Sequence, residues 1–448
     1  MADPTPPPAA PASAPPKAPK PGNQALRMMG LPALPSKLPS RNWMIFWAIS
    51  TTITAAIIYD KREKKRATAR WARTVSHLSK EPLQDGLGQV RKLTIYLSNP
   101  PGDGFRVARD HYTEYVKPIL AASGLDWEFV QGRREGDVRA VVAERARKTR
   151  RGWEGEGERA QDQEPTREEM IENIRKTRGI EDYSGVRGDV VIGRHTWKEY
   201  IRGLHEGWLG PLTAPPAPEP ITAETPETPE GEKPEGEKPA EDAPPISKKP
   251  PQPRPYNTTN DYPAETLPLL TPNEFSPAAP IREPHILGFL NTPTRLYRFF
   301  NRRKLADEIG REVAAACLCT YREFKDLPSS ESESPTADDL KYEQQTELAW
   351  EEKDWIKATW KEETPKEAAE SGVTEKVRAH PIVVDSRVAS RMRRFEIAPQ
   401  DEARARGIVI PEEEVEGWTK GSLRQLYRWG VAKASKPKGP IIGDADVE

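Results

Sequence analysis

The chain has 448 residues, including 47 prolines, with 35 % hydrophobic residues, 31 % charged residues and a formal net charge of −1. This composition excludes a chain that is packed throughout, and it predicts one or two modest domains with long linkers or tails. The near-zero net charge argues against a general nucleic-acid binder, so no nucleic acid is expected among the partners.

The N-terminal part of the chain is predicted to be a tail followed by a membrane span. Residues 1–42 form a Pro-rich tail that we expect to be disordered, because proline disfavours the interiors of helices and sheets. Between Arg41 and Asp60 there are 18 residues without a charge. As a helix they span roughly 27 Å, close to the ~30 Å hydrocarbon core of a bilayer. Residues 43–59 are therefore predicted to cross a membrane.

Residues that suit a membrane interface flank the predicted span. The aromatic side chains at its two ends are Trp43, Trp47 and Tyr59. Such rings prefer the wet interfaces of a bilayer. The chain then continues into a predicted basic juxtamembrane helix, residues 60–87, whose anchoring cations are Lys61, Arg62, Lys64, Lys65 and Arg66. Within this helix, one apolar stripe is formed by Ala67, Trp71, Val75 and Leu78.

A resemblance to a known family is centred on this anchor. The run ALRMMGLP, then LPSRNW, the span and YDKREKKR resemble the N-terminal region of the fungal mitochondrial import inner membrane translocase subunit 54 family. The resemblance covers roughly residues 23–73. It implies a single-span subunit of the carrier translocase, with the N-terminus in the matrix and the C-terminal domain in the intermembrane space.

The charges around the span favour the opposite orientation. Three basic residues precede the span closely and seven follow it, so the positive-inside rule would keep the large C-terminal part on the matrix or cytosolic side. That rule describes short loops and is weak for large domains. We therefore expect the topology that the family resemblance implies.

Residues 88–210 are predicted to form an α/β domain. A strand at residues 92–98 is followed by the turn NPPGDG and by a helix from residue 105 to 123. A strand at 126–131 and a helix at 137–148 come next, and a further strand and helix lie at 188–194 and 195–207. This order of strands and helices is typical of an α/β layer with parallel strands.

The same domain resembles the diacylglycerol and sphingosine kinase family of lipid kinases, through NPPGDG, YVKPILAASGLDWEFV and REGDVRAVVAERA. In that family a Gly-Gly-Asp-Gly-Thr loop contacts the nucleotide phosphates. Here the corresponding residues are Ile192, Gly193, Arg194, His195 and Thr196, and only Gly193 and Thr196 keep the motif. The resemblance therefore implies a degenerate, non-enzymatic kinase-like domain. No catalytic residue, cofactor or metal site is predicted.

Two interpretations of Arg194 and His195 stay open. As a cation pair at the start of a helix they could bind an anionic lipid headgroup or a phosphate. Alternatively, they simply occupy a disused loop. The six histidines of the chain show no metal-ligand spacing.

The rest of the chain is predicted to be a linker, a second region and a loose end. Residues 211–262 are rich in Pro, Glu and Lys and are expected to be a disordered linker. Residues 263–435 are expected to be an α+β region, with strands at 285–290, 381–385 and 387–397 and helices at 292–316 and 422–429. Residues 436–448 are expected to be loose.

Several residues of this second region have two interpretations. The basic set Arg298, Arg302, Arg303 and Lys304 is either the solvated face of its helix or a lipid contact. Three tryptophans in a charged run either pack onto their own domain or bind a partner; they are Trp350, Trp355 and Trp360. The two cysteines, Cys317 and Cys319, are either packing residues or a redox pair.

The sequence as a whole predicts a non-enzymatic, membrane-anchored scaffold of the carrier translocase. It would hold the translocase channel subunit and the small intermembrane-space chaperones together while carrier proteins insert into the inner membrane. Its other contacts would be inner-membrane lipids and the imported carriers. The alternative is an active mitochondrial lipid kinase that phosphorylates diacylglycerol or another acylglycerol.

Overall fold

The computed structural model describes residues 40–82, 90–154, 167–180, 183, 185–215, 252–328, 340–361, 374–415 and 418–434. The predicted N-terminal tail lies outside the described residues up to position 39, as do most of the predicted linker and the loose C-terminus. The chain divides into two compact units, residues 1–57 and residues 58–448.

The first helix, α1, is continuous from Arg41 to Val75 and contains both the predicted span and much of the basic segment. A 3₁₀ turn at Leu78–Lys80 follows it. The predicted helix to residue 87 is therefore too long, because Pro82 disfavours helical backbone at the residue before it. Within the described part of the chain, α1 is long and apolar enough to cross a membrane.

In the described ranges, eight strands follow α1. They are β1 (Lys92–Ser98), β2 (Asp126–Gly132), β3 (Asp189–Ile192), β4 (Ala278–Ile281), β5 (Tyr321–Glu323), β6 (Asp326–Pro328), β7 (Leu340–Tyr342) and β8 (Arg393–Phe395). Six of them form one sheet in the order β2-β1-β3-β4-β8-β5, in which only β5 runs antiparallel to its neighbour. The remaining two, β6 and β7, form an antiparallel pair. The mixed α/β fold with one N-terminal apolar helix is thus confirmed.

The remaining helices are, in chain order, α2 (Phe105–His111), α3 (Lys117–Ser123), α4 (Asp137–Glu154), α5 (Arg167–Thr177), α6 (Arg194–Leu209), α7 (Thr292–Phe299), α8 (Arg302–Leu318), α9 (Glu343–Thr346), α10 (Ser386–Ala389), α11 (Pro399–Gly407), α12 (Glu412–Val415) and α13 (Trp418–Ala434). A π-helical turn at Tyr112–Val116 joins α2 to α3. The predicted single helix from residue 105 to 123 is therefore confirmed, with this turn inside it.

The sheet is buried on both faces. On one face, Leu93, Ile95 and Leu97 of β1 belong to a core cluster that also includes Trp71 of α1 and Val313 of α8. On the other face, Tyr96 belongs to a second cluster with residues of α4 and α6. Alternate residues of one strand point to opposite faces, and this central parallel strand is buried on both of them. Because Ala67, Trp71 and Val75 of α1 belong to the first cluster, the C-terminal half of α1 packs on the domain through the predicted apolar stripe.

Several predictions for the C-terminal part of the chain are wrong. Residues 285–287 and 381–385 belong to no strand and residues 288–290 bend or turn, whereas the unpredicted β4 is a central strand. The predicted helix from residue 292 is broken at Asn301, which separates α7 from α8. The local sequence predicted strands at 285–290 and 381–385, but whether a segment pairs in a sheet depends on neighbouring strands that are distant in the chain.

The six-stranded sheet contains strands from both sides of the predicted linker. Strands β4, β5 and β8 join β1, β2 and β3 although about forty undescribed residues separate the two sets in sequence. The linker was predicted to extend to residue 262, but Gln252, Asn257 and Tyr262 are already buried. Asn257 and Tyr262 bind Arg202 of α6, and Gln252 binds residues 374 and 375, so the predicted disordered linker ends at residue 251 at the latest.

Candidate functional site

The candidate site lies where the chain order of the sheet reverses. From β1 the chain passes through α2 and α3 to β2 on one side, and β3 pairs with β1 on the other side. In open parallel sheets, ligands bind in the crevice beyond the carboxyl ends of the strands at such a switch point. The crevice here lies beyond Ser98 of β1 and Ile192 of β3. The loop from Gly193 to Thr196, which the sequence analysis singled out, stands at this position.

Gly193 has a backbone conformation that only glycine adopts easily. Its φ is +86° and its ψ is 151°, and a Cβ at this position would lie 2.6 Å from His195 Cε1 and 2.8 Å from Glu283 Oε2. Gly193 N donates to Ile281 O of β4 at 2.8 Å, and Gly193 O accepts from Trp197 N. The glycine therefore makes the sharp turn from β3 into α6.

The N-terminus of α6 already holds an anion from its own chain. The carboxylate of Glu351 accepts from the backbone N–H of Arg194 at 3.0 Å through Oε2, and from the N–H of Glu283 at 2.8 Å through Oε1. Free N–H groups at a helix start are the groups that bind phosphate in nucleotide sites. Glu351 is 2 % exposed, and burial raises its pKa to about 7, although the two amide bonds oppose this shift.

The side chain of Arg194 binds residues on both sides of Glu351. Its Nε donates to Glu352 Oε1 at 2.6 Å and its Nη1 donates to Glu347 O at 2.6 Å. Arg194 is 3 % exposed. The guanidinium therefore holds residues 347–352 over the start of α6 and is not presented to solvent.

His195 and Thr196 are also enclosed. His195 Nε2 lies 3.1 Å from Ser98 O and 3.8 Å from Glu283 Oε2. Burial, with Arg378 nearby, lowers the pKa of His195 to about 3, so the ring is neutral at physiological pH. Thr196 is fully buried. Of the two interpretations of the loop, these contacts favour a structural one.

A second stretch, residues 374–380, completes the cover. Arg378 Nη2 donates to Ser98 Oγ at 2.8 Å and to Glu199 Oε1 at 2.9 Å, so it bridges the end of β1 and the first turns of α6. Lys198 Nζ donates to the carbonyl oxygens of Arg378 and His380, both at 2.9 Å. We refer to residues 343–361 and 374–380 together as the covering segment.

Helix α6 is buried on every side. The sequence predicted one buried face with Trp197, Ile201, Leu204 and Trp208, yet every residue of α6 except Leu204 is buried. The charged residues of α6 are tolerated because each has an ionic partner: Glu206 lies between Arg139 and Arg147, and Arg202 pairs with Glu375 at 2.9 Å. A sequence window cannot show such partners, because they come from distant segments.

The three candidate tryptophans lie in the covering segment, where Trp350 and Trp360 are on 3₁₀ turns and Trp355 follows the first of these turns. Trp355 is 9 % exposed, and its ring packs at 5.6 Å on that of Trp360. The ammonium of Lys198 lies over both rings, at 5.2 and 5.4 Å from their centroids. Trp350 stacks against the guanidinium of Arg298 at 4.8 Å. All three pack onto their own domain, but Trp360 is still 42 % exposed.

The predicted anchor residues fall into two groups. Trp43, Trp47 and Tyr59 are each more than half exposed, and the other large apolar side chains of the predicted span are 37–56 % exposed. Among the cations, Lys61 and Lys65 are exposed, whereas Lys64 pairs with Glu114, and Arg62 and Arg66 lie 3.8 and 3.6 Å from Glu412. Part of the basic cluster therefore binds its own domain.

The cysteines are placed as packing residues would be. Cys317 is 2 % exposed within the core beside β1, and burial raises the pKa of its thiol to about 11. Cys319 is half-buried and ends α8 in the left-handed conformation, with φ at +59°. Both are free thiols. The raised pKa makes the Cys317 thiolate scarce at neutral pH, which weakens the redox interpretation.

Sequence reasoning missed the residues that fill the crevice. Glu283, Glu351 and Arg378 come from three segments, and no local spacing connects them with Gly193. The local signal in the sequence is the charged run around Glu351.

Comparison with known proteins agrees with the anchor and with the length of the chain. The family model for the inner membrane protein import complex subunit Tim54 matches residues 23–395. A Neurospora crassa protein named mitochondrial import inner membrane translocase subunit tim54 is 62 % identical over 96 % of this chain and 93 % of its own length. Proteins of the same name from Aspergillus oryzae and Candida albicans are 43 % and 33 % identical, over 93 % and 84 % of this chain and 99 % and 96 % of their own lengths. The chain therefore belongs to the Tim54 family of inner membrane protein import complex subunits.

Proposed function

We propose that this protein is a non-enzymatic subunit of a mitochondrial inner-membrane translocase, anchored by α1, and that it scaffolds the insertion of multi-spanning carrier proteins. Its partners would be the channel subunit of the carrier translocase, the small chaperones of the intermembrane space and the imported carriers. The N-terminus would face the matrix and the domain from residue 58 onward the intermembrane space. Membership of the Tim54 family and the exposed apolar residues of α1 support this assignment.

One observation carries the non-enzymatic part of the proposal, namely the Glu351 carboxylate at the N-terminus of α6. A nucleotide phosphate would have to displace this carboxyl group and would then lie close to Glu352, whose carboxylate pairs with Arg194 at the same helix start. Like charges at such distances oppose binding, because they are poorly screened in a buried site. The degenerate loop thus has a structural role, which is to bind the covering segment.

Nucleotide and lipid assays on the purified full-length chain test this part directly. We expect no binding of Mg-ATP by calorimetry and no transfer of phosphate to diacylglycerol in mixed micelles. Phosphorylated diacylglycerol above the level of a buffer control would overturn the proposal in favour of a lipid kinase. The Glu351→Ala variant serves as a probe of the crevice, since removing the carboxylate frees two backbone donors.

Affinity purification from gently solubilised mitochondria, followed by mass spectrometry, tests the scaffold. The carrier-insertion channel and the small intermembrane-space chaperones should copurify with the tagged chain. Trp360→Ala would reduce their recovery if this exposed ring is a partner contact, and Trp429→Ala, another exposed tryptophan on α13, is the matched control. Recovery of the chain by itself would contradict the scaffold role.

Protease protection tests the orientation. A C-terminal tag should resist added protease in intact mitochondria and become sensitive once the outer membrane is ruptured. Protection that persists until the inner membrane is dissolved would place the domain in the matrix, as the charge distribution around the span favours.

A further inference from the structure

The loop before α7 and α7 itself expose large apolar side chains. Phe289 and Leu290 are 89 % and 90 % exposed, and Leu296 and Tyr297 are 57 % and 61 % exposed. No residue of α7 is buried. Soluble domains seldom leave several large apolar side chains together in water, and such a patch marks a surface that something else covers.

The same stretch is strongly basic. Residues 284–306 contain five cations, namely Arg295, Arg298, Arg302, Arg303 and Lys304, and no Asp or Glu. Arg298 lies 3.4 Å from Asp354, but Arg295, Arg302 and Lys304 form no ion pair within the described residues. A chain with a net charge of −1 therefore concentrates unpaired positive charge beside an apolar patch.

This basic stretch contacts the residues of α1 at which its apolar part ends. The carboxylate of Asp60 accepts from the backbone N–H groups of Arg302 and Arg303, at 3.2 and 3.3 Å, and so caps the N-terminus of α8. The ring of Tyr59 lies 5.0 Å from the guanidinium of Arg303. Phe299, the last residue of α7, is only three residues from Arg302, a chain reach of at most about 11 Å.

We propose that residues 286–304, which we name the interfacial segment, lie in the headgroup layer of the bilayer that α1 crosses. The side chains of Phe289, Leu290 and Tyr297 enter the acyl boundary, and Arg295, Arg302 and Lys304 bind the phosphates of anionic phospholipids. The proposal rests on α1 being a membrane span. Apolar burial together with the attraction of Lys and Arg to anionic lipid is the combination that holds interfacial helices on membranes.

The groove beside α7 is a weaker site for the same lipids. This groove has a volume of about 700 Å³ and lies between α7 on one side and α2 with its following π-helical turn on the other. Its lining includes the carboxylates of Asp110 and Glu114 as well as Leu296 and Phe299. Carboxylates on the far wall would repel an anionic headgroup. The outer side of the segment, where Tyr297 and Leu290 are exposed, carries no such groups in its sequence, so the lipid contact is assigned there.

Depth measurements on the full-length chain test the proposal. In a Cys317→Ala, Cys319→Ser background, single cysteines replace Leu290, Tyr297 or Leu269 and are labelled with the environment-sensitive fluorophore NBD. Leu269 is fully exposed and precedes β4 in the chain, outside the interfacial segment, so it is a matched apolar control. The labelled chains are reconstituted into phosphatidylcholine vesicles with or without phosphatidylglycerol.

In the vesicles with anionic lipid, labels at positions 290 and 297 should be quenched by nitroxide lipids and reduced by aqueous dithionite several-fold more slowly than the label at 269. The Arg295→Gln, Arg302→Gln double variant should lose most of this protection, and vesicles of phosphatidylcholine alone should show the same loss. Unchanged protection in both cases would overturn the role of anionic lipid.

Two further outcomes would overturn the segment's membrane contact. Equal dithionite rates at all three positions, in chains that resist carbonate extraction, would show that α1 is inserted while the segment stays in water. Protection that appears only after translocase partners are added would assign the surface to a protein. A chain extracted by carbonate would instead refute the membrane anchor itself, so the two failures are distinguishable.

Discussion

Trp71 is the residue through which we expect the C-terminal half of α1 to be held on the domain. Its side chain is 4 % exposed, and its indole N–H donates to Asp307 Oδ1 of α8 at 2.7 Å. It packs over Gly310, where a Cβ would lie 2.8 Å from Trp71 Cγ. Burying about 200 Å² at ~25 cal/mol/Å² gives about 5 kcal/mol, near the upper end of measured Trp→Ala losses of ~3–5 kcal/mol.

We therefore expect Trp71→Ala to lower the free energy of unfolding by about 4 kcal/mol. Trp71→Phe keeps most of the packing and removes the hydrogen bond, so its cost should be about 1–2 kcal/mol. Asp307 keeps Arg70 as an ionic partner in that variant, which limits the loss. The graded pair of variants remains informative if Trp71→Ala fails to fold.

The assay is pulse proteolysis of the full-length chain in detergent across a urea series, which reports the fraction folded. Trp429→Ala is the control, because Trp429 is 61 % exposed and its replacement should change stability by less than about 0.5 kcal/mol. A midpoint for Trp71→Ala equal to that of Trp429→Ala would refute the packing of α1 on α8.

Two further predictions concern the core around the crevice. Burial and the nearby Glu351 raise the pKa of Glu283 well above its ordinary 4.5. The contribution of this carboxyl to stability is therefore present at low pH and declines as the pH rises. As the pH rises from about 5 to about 8, the melting temperature of Glu283→Gln should increase relative to that of the parent. Gly207→Ala should cost about 1–3 kcal/mol, because its Cβ would lie 2.5 Å from Ala146 Cβ of α4.

Each of these two predictions has a clear contrary result. A melting-temperature difference between Glu283→Gln and the parent that does not change with pH would show that the carboxyl titrates normally. For the glycine, the control is Gly430→Ala on α13, where nothing lies within 4 Å of the new Cβ and helix propensity predicts a gain of about 1 kcal/mol. The same sign of effect at both glycines would contradict the close packing of α6 on α4.

The first strands and helices of the domain were predicted from the sequence more accurately than those of its C-terminal part. The strand at Lys92–Ser98 was predicted residue for residue, and the start of α6 was displaced by one residue. In the C-terminal part, β4 was missed and residues 381–385 were wrongly predicted as a strand. The first elements follow each other closely and carry strong local patterns, whereas β4 is four residues long and is a strand only because β3 and β8 pair with it.

The sequence by itself determined the apolar run before Asp60 and the family resemblance, because each depends on residues that are close together in the chain. Only the tertiary structure decided that Asp60 caps α8, that Glu351 occupies the N-terminus of α6 and that the charges of α6 are buried with partners. These contacts join segments far apart in sequence, and their free energy depends on burial and geometry that no local pattern encodes.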